Sequence, residues 1–338
     1  MRLIGLFVII CFSLAVHAQN TEDSNYEQLR FIRIGSQNDL YQRKNQSDKY
    51  FSVGSSIELR HPVFDNVVTQ SLLFGLRNSQ INEYGVMIEQ QGFTPTDIAR
   101  PEIDLADRPY AGLLYANFYR ISSDLRRGLR IRSSLKIGVM GTAAGMAQVQ
   151  KIVHEAIGSA QPIGWETQIS NSLLLDYTFK VSQRLPINLS FLEITGSADA
   201  EIGSVFNLLA VGVEIKLGLI NNLDLYSNPQ SPAEKVIRPA KRNTKFQLYA
   251  FVEPRVSYVI YDGTVSGSLI PFQESQHTLR RSAAESSLFF LSYGLASRYN
   301  NFVFSYRRVL RSDRFIEGDG FFKGDQFSWG EIDLVFLF

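Results

Sequence analysis

The sequence predicts an all-β fold: an antiparallel transmembrane β-barrel of about twelve strands, with a short helix in a long loop. Three observations predict it. The chain opens with an apolar stretch typical of exported proteins, many segments alternate apolar and polar side chains, and the last strand ends on Phe338. A terminal strand that ends on phenylalanine resembles the recognition signal of bacterial outer-membrane barrels. Together these features favour a protein of the bacterial outer membrane.

The first 18 residues predict a cleaved signal peptide. Arg2 supplies a positive start, an apolar run follows from Leu3 to Val16, and small residues lead up to Ala18. The run is too short to be a stable transmembrane helix. We therefore expect residues 1–18 to be removed and residues 19–338 to form one outer-membrane barrel domain. The only cysteine, Cys11, lies inside the predicted signal peptide, so the exported chain has no thiol for disulfides, catalysis or metal binding.

Charge composition argues against a nucleic-acid partner. The chain has 34 basic and 33 acidic residues, and removal of Arg2 with the signal peptide makes them equal. No segment after the signal peptide approaches 18 consecutive apolar residues, so no transmembrane helix is predicted.

Alternation over 10 to 14 residues is the main structural signal. Apolar and polar side chains alternate within residues 129–139, 172–181 and 209–217, and the basic positions of the first segment are Arg130, Arg132 and Lys136. In a soluble sandwich the apolar side would be the core, whereas in an outer-membrane barrel it meets lipid and the charged side lines the interior. Alternation alone leaves both open, but export, the terminal Phe338 and the missing cysteines favour the membrane.

The segments predict twelve strands, an even number as a closed bacterial barrel needs, although ten or fourteen remains compatible with the pattern. Short connections near 124–128, 184–187 and 299–301 suit periplasmic turns, and longer ones are 92–110, 141–169, 219–244 and 261–285. The predicted strands are 26–37, 49–61, 82–91, 111–122, 127–140, 170–183, 187–201, 207–218, 245–260, 286–298, 301–311 and 326–338.

One stretch, residues 145–168, predicts a helix. Apolar residues recur at helical spacing, and Gln150 and His154 stand four apart, so they face the same way. Gly158 and Pro162 end the segment. The apolar positions are Val149, Val153, Ala156 and Ile157.

The chemistry available centres on three histidines after the signal peptide. His61 and His277 are predicted to be solvated loop residues, whereas His154 lies on the helix beside Gln150. From composition alone, a histidine on a helix is more often structural than catalytic. It becomes a candidate general base only if other polar groups converge on it.

A second polar cluster lies at the first hairpin. Asn38 and Asp39 follow the first predicted strand, and Ser52 lies at the start of the second, so the hairpin brings them together. Their oxygens are the hard ligands that Ca²⁺ prefers. A histidine base, a cation and hydrogen-bonding side chains form a hydrolytic set. No HExxH zinc motif and no GxSxG elbow is present, and a loop serine such as Ser52 is more often a hydrogen-bonding group than a nucleophile.

These motifs resemble the outer-membrane lipid A 3-O-deacylase family (LpxR-type). The resemblance is carried, in family order, by Asn38-Asp39, residues 50–54 (YFSVG), 107–112 (DRPYAG) and 148–154 (QVQKIVH), followed by Gly158, Pro162, Gly164, Trp165 and Gln168. It covers about 130 residues directly, and the strand count and terminal Phe338 extend it along the chain.

The resemblance implies a twelve-stranded barrel that removes the 3′-linked acyloxyacyl group of lipid A by Ca²⁺-dependent ester hydrolysis. His154 would be the general base that activates water, and Gln150 would orient the base or the substrate. Asn38 and Asp39 would hold the cation or polarise the ester carbonyl, and Ser52 keeps a hydroxyl where the family usually has threonine. The implied partners are lipopolysaccharide and membrane lipid, and we expect a monomer.

Three departures concern the cation site and the contacts to lipid A phosphates. Leu40 stands where the family can carry a second acidic residue, and Ala160 stands where an acidic residue follows the histidine by six positions. A lysine expected after the third strand has no clear counterpart, and Arg100 is the nearest base. Asp97, Glu155 and Glu166 are the acidic residues that could compensate.

Two alternatives stay open at this stage. One is a phospholipase-type barrel that uses Ser52 and His154 as a nucleophile–base pair. The other is a catalytically silent barrel that acts as a pore or structural protein, for which the charged inner face at Arg130, Arg132 and Lys136 would line a channel or fill a plugged interior.

Overall fold

The computed structural model describes residues 29–41, 50–51, 53–77, 79–100, 104–187, 189–220, 246–312 and 327–338. They form a closed antiparallel barrel of twelve strands, as predicted. The strands are β1 (Phe31–Asn38), β2 (Val53–Arg60), β3 (Ile81–Phe93), β4 (Ala111–Asp124), β5 (Leu129–Met140), β6 (Ser172–Arg184), β7 (Leu192–Gly203), β8 (Phe206–Leu219), β9 (Phe246–Asp262), β10 (Ser287–Tyr299), β11 (Phe302–Arg311) and β12 (Phe327–Leu337).

Each strand pairs with its neighbours in sequence, and β1 pairs with β12 to close the ring. In that closing pair Phe31 lies opposite Leu337, and Asn38 lies opposite Gly330. Closure leaves no strand edge, which a bilayer requires because lipid cannot satisfy backbone N–H and C=O groups. The predicted signal peptide, residues 1–18, lies outside the described residues and stays a prediction.

The predicted alternation separates two faces of the wall. On the outward face, apolar side chains such as Val211, Leu295 and Phe302 are exposed to the surroundings of the barrel. On the inward face, charged side chains form ion pairs, as in Arg33 with Asp333 at 2.8 Å and Arg307 with Glu253 at 2.8 Å. An apolar exterior and a polar interior are the pattern of an outer-membrane barrel.

Further ion pairs of this kind join β5, β7 and β9 across the lumen. Arg255 on β9 reaches Asp199 on β7 through two hydrogen bonds of 2.8 and 2.6 Å, and Lys136 on β5 pairs with Glu201 on β7. A cavity of about 320 Å³ remains, lined among others by Arg130 and Arg132. Of the two readings of the basic inner face, this arrangement favours a plugged interior.

Connections fall at two ends of the barrel. The end near Phe31 and Leu337, here called the termini end, carries the predicted short turns at 125–128 and 300–301. The opposite end, the loop end, carries the predicted helix. The expected alternation of lengths fails three times. At the termini end, long connections join β2 to β3 (residues 61–80) and β8 to β9 (residues 220–245, of which 221–245 lie outside the described residues). At the loop end, only Ser204 and Val205 separate β7 from β8.

Three α-helices lie among the described residues: α1 (Val67–Leu72), α2 (Met146–Ile157) and α3 (Gly263–Ser266). The predicted helix is α2, and it ends at Gly158, which adopts a left-handed φ of 67°. Helix α1 was not predicted because six residues are too short for a helical period. Its sequence signal is the capping box of Asn66 and Thr69. None of the described helices is long and apolar enough to cross a membrane.

Candidate active site on the outer wall of the barrel

The buried face of α2 is a single stripe. Met146, Gln150 and His154 are its buried residues, and they recur every four positions. Gln150 is 1 % exposed and His154 is 3 % exposed. In contrast, Ile152 and Ile157 are exposed. The side of the helix turned toward the protein therefore carries the polar pair, and part of its apolar surface faces outward.

The helix packs against the outward face of the barrel at its loop end. Glu89 and Tyr115 are hydrogen-bonded to each other within the lumen, so the alternate positions of β3 and β4 face outward. Among these, Gln90 donates its side-chain N–H to the carbonyl of Ala144 at 2.6 Å, just before the helix.

Four outward-facing residues form a continuous row beneath this region. Asn38 of β1 lies opposite Val53 of β2, Val53 lies opposite Gly92 of β3, and Gly92 lies opposite Gly112 of β4. A Cβ at either glycine would come within 2.8 Å of the Met146 side chain. The two glycines therefore let α2 approach the wall closely.

Gln150 is held by an indole. The Trp165 Nε1–H donates to Gln150 Oε1 at 2.6 Å, and both groups are buried. Trp165 in turn packs on Tyr110 with ring centroids 4.9 Å apart, and Val53 and Met146 belong to the same apolar cluster. The glutamine amide is thus fixed between the helix and the wall.

His154 is oriented by a main-chain carbonyl. Its Nδ1 lies 2.5 Å from the oxygen of Ala160, six residues later. A carbonyl oxygen can only accept a hydrogen bond, so Nδ1 carries the proton and Nε2 of the neutral ring is the basic nitrogen. The side chain expected to be acidic at position 160 is therefore not needed for this contact.

Asn38 and Asp39 lie at the loop-end terminus of β1. Asn38 Oδ1 accepts the main-chain N–H of Leu40 at 2.7 Å, and Asp39 opens a short 3-10 helix, Asp39–Tyr41, with 3 % of its surface exposed. Ser52 lies outside the described residues, next to Val53. The structure places Asn38 in the same outward row as the two glycines under α2.

The donor set fits a Ca²⁺ ion only in part. Asp39 is a buried carboxylate, and its oxygens are suitable Ca²⁺ ligands. However, no three acidic, histidine or cysteine residues in the described part of the chain cluster as a metal site would. Ca²⁺ takes about six to eight oxygens, so the others would have to be backbone carbonyls, water or substrate.

The three departures have distinct structural outcomes. Leu40 is exposed, and Arg100 forms an exposed ion pair with Asp104 at 3.0 Å. The acidic residues considered as compensation do not gather around Asp39. Asp97 accepts the main-chain N–H of Ala99, Glu155 pairs with Lys151 on the exposed side of α2, and Glu166 is exposed.

The prediction that His61 and His277 are solvated is wrong, since both are buried. His61 caps a 3-10 helix by accepting the N–H of Val63 at 3.1 Å. Burial lowers its pKa, and the nearby Arg30 adds to the effect. Burial also lowers the pKa of His277, against the opposing charge of Asp107. Both histidines therefore have structural roles, which the polar residues beside them in the sequence did not indicate.

Arg108 links loops that lie on opposite sides of the barrel at its loop end. Its guanidinium donates to the carbonyl of Tyr50 at 2.8 Å and to Thr264 Oγ1 at 3.1 Å. Thr264 follows β9, which lies six strands round the ring from β3. Tyr50, held here at a left-handed φ of 71°, leads directly to Phe51 and the second strand. The buried contact therefore crosses the mouth of the barrel.

Sequence reasoning missed four contributors to this region: Trp165 as the partner of Gln150, the carbonyl of Ala160, the paired glycines, and Arg108. Trp165 offered a signal, because only two tryptophans occur in the chain. Gly112 also offered one, as a glycine inside a predicted strand often marks a close approach of another segment, whereas Gly92 was assigned to the connection 92–110. A backbone carbonyl leaves no signal in the sequence.

Comparison with known proteins agrees with this architecture. LpxR from Salmonella typhimurium has a similar structure, with a TM-score of 0.68 and 19 % identity, covering 91 % of this chain and 100 % of that one. The β domain of the Bordetella autotransporter BrkA gives a TM-score of 0.44 and 8 % identity, covering 91 % and 98 %. No curated protein matches in sequence. Residues 6–338 match the family described as outer membrane protein LpxR, and the chain therefore belongs to the LpxR family of outer membrane proteins.

Proposed function

We propose that the protein is an outer-membrane ester hydrolase that removes the 3′-linked acyloxyacyl group from lipid A. The observation that supports this most directly is the buried His154 on the outward face of the barrel, with Nδ1 bonded to the Ala160 carbonyl. In this tautomer Nε2 takes a proton from water as the water oxygen attacks the ester carbonyl. The acyl C–O bond then breaks, the acid is released, and the proton on Nε2 passes to the sugar oxygen that leaves. Family membership supports the same substrate class.

The position of α2 suits a substrate that never leaves the membrane. The helix lies outside the barrel wall, at the end that faces the lipopolysaccharide leaflet if the termini lie on the periplasmic side. Ile152 and Ile157 on α2 expose apolar surface along which an acyl chain can lie. Lipid A would reach His154 from the side, with its ester at the depth of the row formed by Asn38, Val53, Gly92 and Gly112.

Gln150 and Asn38 are proposed to position the reacting groups. Gln150 is fixed by Trp165, so its amide can hold the base or the substrate at a constant angle. Asn38 lies in the row two strands from Gly92. The eight residue steps of α-helix from Met146 to His154 rise about 12 Å, and two strand spacings are about 10 Å. The helix is thus long enough to extend from Gly92 to Asn38.

Asn38 and Asp39 would hold Ca²⁺, which when bound supplies positive charge to the oxyanion of the ester. Asp39 would give the carboxylate ligand, and Asn38 retains a lone pair on its amide oxygen beyond the one that accepts from Leu40. The remaining oxygens would come from Ser52, from main-chain carbonyls or from lipid A.

Mass spectrometry of lipid A tests the proposal. Cells that carry the protein should lose the 3′-linked acyloxyacyl group, and cells with His154→Ala should keep it although the barrel is folded in the membrane. Chelation of Ca²⁺ should preserve the group in both. An unchanged lipid A pattern with active protein and Ca²⁺ present contradicts the substrate assignment.

The same samples distinguish the alternatives. A phospholipase would release phospholipid fatty acids and would be inactivated by Ser52→Ala. A pore would conduct in a planar bilayer, with no effect of His154→Ala. The contact of Arg108 across the loop-end mouth and the ion pairs in the lumen argue against conduction.

A further inference from the structure

The connection between β2 and β3 folds back over the outside of the barrel. It contains a 3-10 helix, Pro62–Phe64, and α1, and residues 61–77 are here called the strap. It starts at the termini end, where the N–H of His61 donates to the carbonyl of Tyr84. It then crosses β4 and β5 to reach β6.

Contacts along the strap are with outward-facing side chains. Arg120 of β4 donates to the carbonyl of Leu73 at 3.2 Å, and Ser133 of β5 donates to the carbonyl of Phe74 at 2.7 Å. Tyr177 of β6 donates to the carbonyl of Leu72 at 3.3 Å. These three residues alternate with the lumen-facing Tyr119, Arg132 and Thr178, so they belong to the wall that faces lipid.

The strap gives a hydrogen-bond acceptor to Arg120, whose side chain would otherwise face hydrocarbon. Arg120 also donates to Asn82 Oδ1 at 3.0 Å, and its guanidinium packs directly on Gly75. A Cβ at Gly75 would lie 2.4 Å from Arg120 Cζ, so only glycine allows this approach. The strap is therefore fixed to the wall by polar contacts on its inner side.

The exposed side of the strap carries large apolar side chains. Val67 is 81 % exposed and Phe74 is 68 % exposed, and Val68 and Leu72 are exposed as well. Polar residues share this surface, and two of them bond each other: Gln70 donates to Asp65 Oδ1 at 2.7 Å. The other exposed polar residues are Asn66, Ser71 and Arg77.

Ser133, which binds Phe74, is four residues into β5. At about 3.3 Å per residue and a strand tilt of about 40°, Phe74 lies about 10 Å above the nearest turn. This depth is within one leaflet of a hydrophobic band about 25 Å tall.

We propose that the strap is a lipid anchor, inserted among phospholipid acyl chains in the leaflet at the termini end. Its apolar surface is continuous with the lipid-facing wall, since Tyr177 and Phe74 pack edge to face with centroids 5.9 Å apart. The strap contacts β4, β5 and β6. At the loop end, α2 lies in the connection between β5 and β6 and packs on Gly112 of β4. The anchor thereby fixes the height of that site relative to the membrane.

Site-directed spin labelling of the full chain in phospholipid bilayers tests the anchor. The only cysteine, Cys11, is replaced by serine, and labels are placed through Val67→Cys and Leu72→Cys. Val211→Cys on the lipid-facing wall and Arg126→Cys on a turn at the termini end are the matched references. Accessibility of each label to oxygen and to a water-soluble nickel chelate is measured, and folding is checked by the heat-dependent shift on gels.

The anchor requires labels at positions 67 and 72 to favour oxygen, as the label at 211 does. If both favour the nickel chelate, as the label at 126 does, the strap is in water and the proposal is overturned. If neither the nickel chelate nor oxygen reaches the labels, protein covers the strap, and this result also overturns the proposal. Should Val67→Cys fail to fold, Val68→Cys gives the same reading.

Discussion

The Nδ1 atom of His154 lies 2.5 Å from the main-chain oxygen of Ala160, so a peptide carbonyl sets the tautomer of the proposed base. With Nδ1 protonated, Nε2 is the nitrogen that accepts a proton. His154→Gln keeps a hydrogen-bond donor but has no basic nitrogen, so deacylation should fall by on the order of 10² to 10⁴-fold. Turnover is measured on purified lipid A in detergent.

The control for this variant is His61→Gln, which removes a buried imidazole far from α2, at the termini end. Its deacylation rate should remain close to that of the native protein. Equal losses in the two variants would mean that His154 contributes through folding and is not the base.

Trp165→Phe should lower turnover while the barrel stays folded. The substitution removes the Nε1–H that Gln150 Oε1 accepts at 2.6 Å, and an unsatisfied buried acceptor costs about 1–3 kcal/mol. Because the Gln150 amide is fixed beside the proposed base, the fall in turnover should appear in kcat. The matched control is Trp329→Phe, whose indole bonds Glu331 inside the barrel and whose loss should leave kcat unchanged.

Gly92→Ala should displace α2. The new Cβ would meet the Met146 side chain at 2.8 Å, and overpacking of this kind costs about 1–3 kcal/mol. Deacylation should therefore fall, and a second substitution, Met146→Ala, should restore part of it by making room. Gly196→Ala in β7 is the control, since its nearest neighbour is at 3.9 Å. No rescue by Met146→Ala would argue against the steric explanation.

Asp39→Asn should raise the Ca²⁺ concentration needed for half-maximal deacylation. The amide keeps the shape of the side chain and one carbonyl oxygen, but it removes the negative charge that Asp39 would offer the cation. The measurement is a Ca²⁺ titration after chelator treatment, with Asp97→Asn as the control because Asp97 caps a nearby loop. Identical titrations for the Asp39 variant and the native protein would exclude Asp39 as a ligand.

Stability should fall on acidification through His277. Burial lowers its pKa in the folded protein, so the unfolded chain, with an ordinary pKa of about 6.5, binds a proton more readily. The full stability is present above pH ~6.5 and is lost as pH falls through the lower folded pKa. Denaturant midpoints at about pH 7.5 and about pH 5.5 measure this loss.

The variant His277→Gln cannot titrate in this range, and it should lose less stability between the two pH values. His61, whose pKa burial also lowers, acts in the same direction, so the double variant should be less pH-dependent still. An undiminished loss in the double variant would place the acid sensitivity in other groups.

All twelve strands were predictable because each is long and has one apolar face. The observed starts of β1 and β7 lie five residues later than predicted, at Phe31 and Leu192. Local spacing also predicted that Gln150 and His154 share a helix face. The strap was not predicted, since its contacts with Arg120 and Ser133 are polar and distant in sequence.

Residue spacing within one segment could not predict on which side of the barrel wall α2 lies. It depends on the cross-strand row from Asn38 to Gly112, and register between distant strands is not written in any one segment. The sequence also could not predict that the Ala160 carbonyl orients His154, because a main-chain contact does not constrain which side chain stands at position 160.

Arg108, which joins Tyr50 to Thr264 across the loop-end mouth, has a kinetic consequence. A barrel bridged in this way gives the proposed site no supply route through its lumen, so molecules arrive by diffusion in the plane of the leaflet. The reaction rate then depends on the surface density of substrate in the leaflet. Doubling the total lipid at a fixed mole fraction of substrate should leave the rate per enzyme unchanged, and diluting the substrate with inert lipid should lower it.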